Sequence, residues 1–152
     1  MRTSLVVTTI NPPNSAMHEL AAGSIEHGWD FIVAGDGKSP ADFRLDGCRF
    51  LSLQQQRDSG FALGRICPER SYTRKNIAYL EAMRAGATVI VETDDDNHPM
   101  QQFWIAREKR IRCRPVEKDG WVNAYRYFSE NFIYPRGMPL TRARDEVPAA
   151  GA

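Results

Sequence analysis

The chain has 152 residues, 42% of them apolar and 26% charged, the mixture of a soluble globular domain. At this length roughly 70% of the unfolded chain's surface can be buried, so a core forms without staples. Twenty basic against nineteen acidic residues leave a formal charge of +1, and that removes the electrostatic argument for nucleic-acid or membrane-surface binding.

Leu5-Val6-Val7-Thr8-Thr9-Ile10 is a β-branched run stopped by Asn11-Pro12-Pro13, which predicts a buried first strand. The run is too short for a secretory h-region or a bilayer span. Helix formers over Ala16–His27 end at Gly28, and a second apolar run covers Trp29–Ala34 before Gly35-Asp36-Gly37-Lys38. Arg49–Leu53 reads as a short third strand. Ser71 is placed to cap a helix over Tyr72–Arg84, followed by Gly86 and then a strand over Thr88–Thr93. Beyond Pro99 the pattern blurs, with a short aromatic helix expected over Trp121–Phe128. Alternating strands and helices predict an α/β fold with an open, mostly parallel sheet flanked by helices. One domain is expected over 1–144, with a flexible tail over 145–152.

Cys48, Cys67 and Cys113 are odd in number and widely spaced, with no C-x-x-C pair. Neither a disulfide framework nor a zinc site follows, and reduced thiols in a cytoplasmic setting are expected. No G-x-x-x-x-G-K-[ST], G-x-G-x-x-G or G-x-S-x-G element occurs, so P-loop, dinucleotide and esterase readings lose their main support.

In a parallel α/β unit the crossover helix starts at the carboxyl edge of the sheet, where such sheets bind ligands. Arg74, Lys75 and Asn76 at the helix start should therefore lie level with Asp94-Asp95-Asp96, which follow the Thr88–Thr93 strand. The loops after the first two strands, Thr9-Ile10-Asn11 and Gly35–Lys38, leave the same edge. Cations at a helix start suit an anion, and a carboxylate run suits a hard cation, Mn²⁺ or Mg²⁺. Together they point to a phosphorylated substrate. The alternatives are a solvated Asp-rich turn and an exposed first helical turn. Because Arg74 opposes the helix dipole, a bound anion is the expected compensation. His98 is a further metal-shell candidate, whereas His18 and His27 read as ordinary helix residues.

These residues resemble a known pattern. Ser71-Tyr72-Thr73-Arg74-Lys75-Asn76, the helix, Gly86-Ala87, an apolar strand and Asp94-Asp95-Asp96 are similar to the nucleotide-sugar half of GT-A glycosyltransferases. Phe50–Gln56, Gly60-Phe61, Ser71–Leu80 and Tyr134–Leu140 resemble the STELLO glycosyltransferase-like family. A more distant similarity is to the reversibly glycosylated polypeptides, which are UDP-arabinopyranose mutases. The resemblance runs from Leu5 to about Leu140.

The resemblance implies a metal-dependent glycosyltransferase-like protein that binds a nucleotide-diphosphate sugar, a UDP-sugar foremost. Asp94, Asp95 and Asp96 match the acidic motif that holds Mn²⁺ or Mg²⁺ against the diphosphate. Another register of that motif brings in Glu92. Thr8, Thr9, Asn11 and Asp36 match nucleoside-holding positions, Arg74 and Asn76 an Arg-x-Asn element around Lys75, and Arg136 the arginine of a Pro-Arg-Gly segment. Only 56 residues follow Asp96, and Glu108, Glu117, Asp119, Glu130, Asp145 and Glu146 stand in no recognisable base motif, so no catalytic base is assigned. A non-catalytic nucleotide-sugar-binding scaffold and a sugar-nucleotide mutase, with Arg142 or Arg144 as residues to probe, are the alternative functions. The oligomeric state is left open.

Overall fold

The computed structural model describes residues 2–108 and 110–148. They fall into two compact units, Met1–Arg107 and Glu108–Ala152. The expected tail begins inside the second unit, and its residues 149–152 lie outside the described residues.

The first unit is an open α/β sheet. Strands β1 (Thr3–Thr9), β2 (Asp30–Gly35), β3 (Cys48–Leu51) and β4 (Val89–Glu92) stand in the order β3-β2-β1-β4. All three pairings are parallel, with Val6 opposite both Ile32 and Glu92, and Val33 opposite Phe50. The expected architecture is therefore present.

Side-chain alternation along the central strands divides the core between two faces. Leu5, Val7, Phe31 and Val33 pack with Met17, Leu20 and Ala21 of helix α1 (Ser15–His27). Val6, Ile32 and Ala34 pack on the other face with Ala78 and Ala82 of helix α4 (Lys75–Arg84). Central strands buried on both faces explain their continuous apolar sequence. Helix α1 is capped by the Asn14 side chain and ends where Gly28 turns left-handed at φ 64°, a conformation that glycine adopts without a Cβ clash.

Most boundaries shift a little from expectation, and two of the shifts have a clear local reason. The third strand stops at Leu51, because Ser52 and Gln55 form a reciprocal capping box that starts helix α2 (Leu53–Arg57). Helix α3 (Ala62–Ile66) follows it. The helix expected from Tyr72 begins as a 3₁₀ turn, Tyr72–Arg74, and becomes α-helical only at Lys75.

In the second unit the short helix expected over Trp121–Phe128 is a 3₁₀ turn, Ala124–Tyr127. Buried Asn123 organises it, its amide donating to the carbonyls of Ile133 at 3.0 Å and Ala143 at 3.1 Å. Among the described residues no helix is long and apolar enough to cross a membrane.

Candidate functional site

A cavity of about 350 Å³ opens at the carboxyl ends of β1 and β2. Thr8, Thr9, Ile10 and Asn11 form one wall, and Ala34, Gly35, Asp36 and Lys38 a second. Arg70, Ser71, Tyr72 and Arg74 enclose it from the entry to α4, and Asp95 from the end of β4. Four segments distant in sequence thus meet where a parallel sheet presents its ligand crevice. Of the residues singled out from sequence, Thr8, Thr9, Asn11, Asp36, Arg74 and Asp95 meet here.

The loop after β2 is pinned to the end of β1. Ser39 Oγ donates to the Thr9 carbonyl at 2.7 Å and accepts from the Asp36 N–H at 2.8 Å. Asp36 in turn clips the entry to α4. Its Oδ1 accepts from the Gly37 N–H at 2.6 Å, and its Oδ2 from the Ser71 N–H at 3.1 Å. Burial alone would raise the Asp36 carboxyl, but the Arg70, Gly37 and Ser71 N–H groups and the Arg74 guanidinium outweigh it and hold it below the ordinary carboxylate value.

Arg74 differs from its sequence reading. Its side chain is only 2% exposed, with Nε 3.5 Å from Asp36 Oδ1. Nη1 donates to Gln56 Oε1 and Nη2 to the Cys67 carbonyl, both at 2.8 Å. The compensating anion is therefore internal, the Asp36 carboxylate, rather than a ligand. The geometry still places Arg74 and Asp95 on one cavity at the same sheet edge.

Gln56 went unrecognised as a site element in the sequence, yet it completes this floor. Fully buried, it donates through Nε2 to the carbonyls of Gly35 at 2.7 Å and Leu51 at 2.8 Å. One carboxamide thereby ties together the ends of β2 and β3 and the start of α4, with every polar atom satisfied.

The three aspartates do not converge. Asp95 turns toward β1, its Oδ2 accepting from Thr9 Oγ1 at 2.5 Å and Asn11 Nδ2 at 3.3 Å. Asn14 Nδ2 also donates to the Asp95 carbonyl at 2.9 Å. Asp94 turns to Lys75, whose Nζ lies 3.1 Å from Asp94 Oδ1 and 3.0 Å from Glu92 Oε2. Asp96 is exposed. Divergence and the Lys75 ammonium relieve the repulsion that three consecutive carboxylates would otherwise carry. Among the described residues no group of three His, Cys, Asp or Glu side chains is arranged to hold a metal.

Glu92, the alternative member of the acidic motif, faces α4 and accepts from Tyr79 Oη at 2.7 Å. The Tyr79 and Lys75 hydrogen bonds hold its carboxyl below the ordinary value despite partial burial. Burial and Glu92 push the Tyr79 phenol up to about 12. Burial would lower the Lys75 ammonium, but hydrogen bonds to Glu92 and Asp94 outweigh it and raise it.

The remaining candidates lie elsewhere. Asn76 is exposed and outside the cavity lining. His98 Nδ1 lies 3.0 Å from Glu19 Oε2 on the exposed side of α1, away from a metal-shell role. His27 stacks on Trp104 with ring centroids 5.1 Å apart. Arg136 is an exposed residue in the 135–138 turn of the second unit.

Two exposed cations line the cavity, Lys38 and Arg70, and among the described residues neither is in an ion pair. Arg70 also has φ 57°, the only non-glycine positive φ among the described residues. Lys38 was visible from sequence as part of a loop at the sheet edge. Arg70 carries no spacing signal, since a left-handed arginine has no local sequence mark.

No family model matches the chain. It is 31% identical over 126 residues to the probable glycosyltransferase STELLO2 of Arabidopsis thaliana, and 30% identical over 126 residues to STELLO1 of the same plant. Each match covers 74% of this chain and 16% of the relative. The chain therefore spans about one sixth of the length of the curated relatives it matches. Over that stretch it belongs to the STELLO-like glycosyltransferase family.

Proposed function

We propose that the chain binds a nucleotide-diphosphate sugar, a UDP-sugar foremost, and forms the donor-binding part of a glycosyltransferase. The observation that carries this reading is that Thr8, Thr9, Asn11, Asp36, Arg74 and Asp95 share one cavity at the carboxyl edge of a parallel sheet. The glycosyltransferase names of both relatives support the same reaction class.

In this reading the Thr8–Asn11 and Asp36 loops hold the nucleoside. Lys38 and Arg70, the exposed cations of the cavity, face the anionic part of the ligand. Arg74 keeps the floor in shape through Gln56 and Asp36. Lys75 and Asn76 stand at the neighbouring helix start, with Lys75 holding Asp94 in place. Arg136 is an additional donor-binding candidate on the family resemblance.

The donor set suits Mn²⁺ or Mg²⁺. Asp95 has spent only Oδ2 on protein partners, and Asp96 presents an exposed carboxylate. Hard divalent ions in phosphate sites use one or two carboxylates and take their other ligands from phosphate and water. Asp95 and Asp96 would hold such an ion without a three-acid cluster. When bound, it supplies neutralisation of the charge that grows on a leaving diphosphate.

Titration calorimetry with a panel of UDP- and GDP-sugars, with and without Mn²⁺, tests the reading. Metal-dependent binding of one nucleotide class is expected, with free nucleotide diphosphate released from the preferred donor when an acceptor is supplied. No binding across the whole panel overturns it.

A further inference from the structure

Tyr72 lines the cavity, yet it is 85% exposed, among the most exposed large side chains described. Its ring rests on no aromatic partner and its hydroxyl makes no hydrogen bond among the described residues. The backbone beneath it is nevertheless firmly set. The Ser71 N–H is held by Asp36 Oδ2 at 3.1 Å, and Ser71 Oγ accepts from the Thr73 N–H at 3.3 Å. Two residues before Tyr72, Arg70 takes the left-handed conformation at φ 57°, a cost that persists only where the surroundings fix the chain. A rigid backbone thus presents an unpacked aromatic ring at the mouth of a cavity that also carries the cations Lys38 and Arg70.

We propose that Tyr72 is a stacking platform for the heteroaromatic base of the ligand, an inference that rests on the nucleotide reading above. A tyrosine offers a flat π face with only two side-chain torsions to freeze, so a fixed backbone makes it an inexpensive platform. Every nucleobase has a complementary face, and stacking on one aromatic side chain changes affinity by roughly 5- to 150-fold. The adjacent cations place anion-binding capacity on the same rim. A ligand with an aromatic head and a phosphorylated body matches both features. A plain sugar or a free inorganic anion matches one at most.

Calorimetry on the full chain with Mn²⁺ decides this, using UDP, uridine monophosphate and inorganic diphosphate as probes on wild type, Tyr72→Ala and Tyr72→Phe. Because Tyr72 is exposed, both variants fold, and thermal melts confirm it. The expected result is a loss of about tenfold or more in UDP and uridine monophosphate affinity for Tyr72→Ala, with Tyr72→Phe within about twofold of wild type. Inorganic diphosphate should bind all three proteins alike. Unchanged UDP affinity in Tyr72→Ala overturns the inference while leaving the nucleotide reading intact. An equal loss for inorganic diphosphate also overturns it, since the ring would then act on the phosphates. A wild-type protein that binds no nucleotide overturns the nucleotide reading and this inference with it.

Discussion

The carboxamide of Gln56 and the guanidinium of Arg74 are joined by a 2.8 Å hydrogen bond, and both side chains are removed from solvent. Through it the ends of β2 and β3 are coupled to the first turn of α4, since Gln56 also donates to Gly35 and Leu51. The Asp36 carboxylate lies 3.5 Å from Nε of the same guanidinium. The floor of the cavity is therefore a polar network, whose cost of burial is met only while each member is present.

Removing Arg74 should consequently act on stability before it acts on binding. Arg74→Met leaves Gln56 Oε1, the Cys67 carbonyl and Asp36 without their shared partner. Breaking a buried pair from one side costs about 3–5 kcal/mol. Arg74→Lys should recover only a minor part, because one ammonium cannot serve three divergent partners. Urea unfolding with an unchanged slope measures this. A loss below about 1 kcal/mol for Arg74→Met would show that the network is dispensable.

Gly64 is a second structural determinant of the same corner. A Cβ built there would lie 2.0 Å from the backbone carbonyl oxygen of Gln56. Backbone cannot yield as a side-chain tip does, so Gly64→Ala should displace α2 from α3 and cost about 1–3 kcal/mol. The readout is the unfolding midpoint in urea. An alanine variant as stable as wild type would contradict the close approach.

Much of the sheet was legible in the sequence, because its signals are local. The β-branched run of β1 and the apolar run of β2 sit within a residue or two of their expected bounds, and Gly28 ends α1. Those patterns arise from burial on both sheet faces. The site was legible in part, through the shared edge of Thr8, Thr9, Asn11, Asp36, Arg74 and Asp95. What escaped was partnership at a distance. Gln56 and Arg74 are 18 residues apart, and Thr9 and Asp95 are 86 apart. The dipole argument correctly demanded an anion for Arg74, but no local pattern distinguishes a protein carboxylate from a ligand. The run Asp94-Asp95-Asp96 suggested one cluster, whereas Asp94 pairs with Lys75 and Asp95 with Thr9 and Asn11.

Acid should unfold the protein through Asp36 in a defined window. Its folded-state carboxyl lies below the ordinary 3.8. A depressed carboxylate contributes stability that is present above its unfolded value and is lost as pH falls through the folded one. That contribution should be intact at pH 5–7 and decline only below about pH 4. Glu92, also held down from 4.5, adds in the same direction. Urea unfolding from pH 3 to 7 should show a shallower acid limb for Asp36→Asn than for wild type. Parallel limbs would remove Asp36 from the account.

The aspartates should separate in their effects on metal-assisted binding. Asp95 alone of the three lines the cavity, with Oδ2 anchored by Thr9 and Asn11. Asp94 is occupied by Lys75 at 3.1 Å, and its replacement should mainly free that ammonium. Asp95→Asn should therefore weaken UDP binding in the presence of Mn²⁺ by about tenfold or more, the loss of one charged contact at roughly 1.5–3 kcal/mol. Asp96→Asn should fall between the two, because its exposed carboxylate can serve as a second ligand without being oriented by the protein. Without metal the order should reverse in sign. Each Asp→Asn change removes a negative charge beside an incoming diphosphate, so metal-free UDP binding should be unchanged or tighter. Calorimetric titrations of the three single variants, each with Mn²⁺ and with chelator, measure both halves of the cycle. Equal losses for Asp94→Asn and Asp95→Asn would mean that the acidic run acts as one cluster, and the division of roles drawn from the Thr9 and Lys75 contacts would fall.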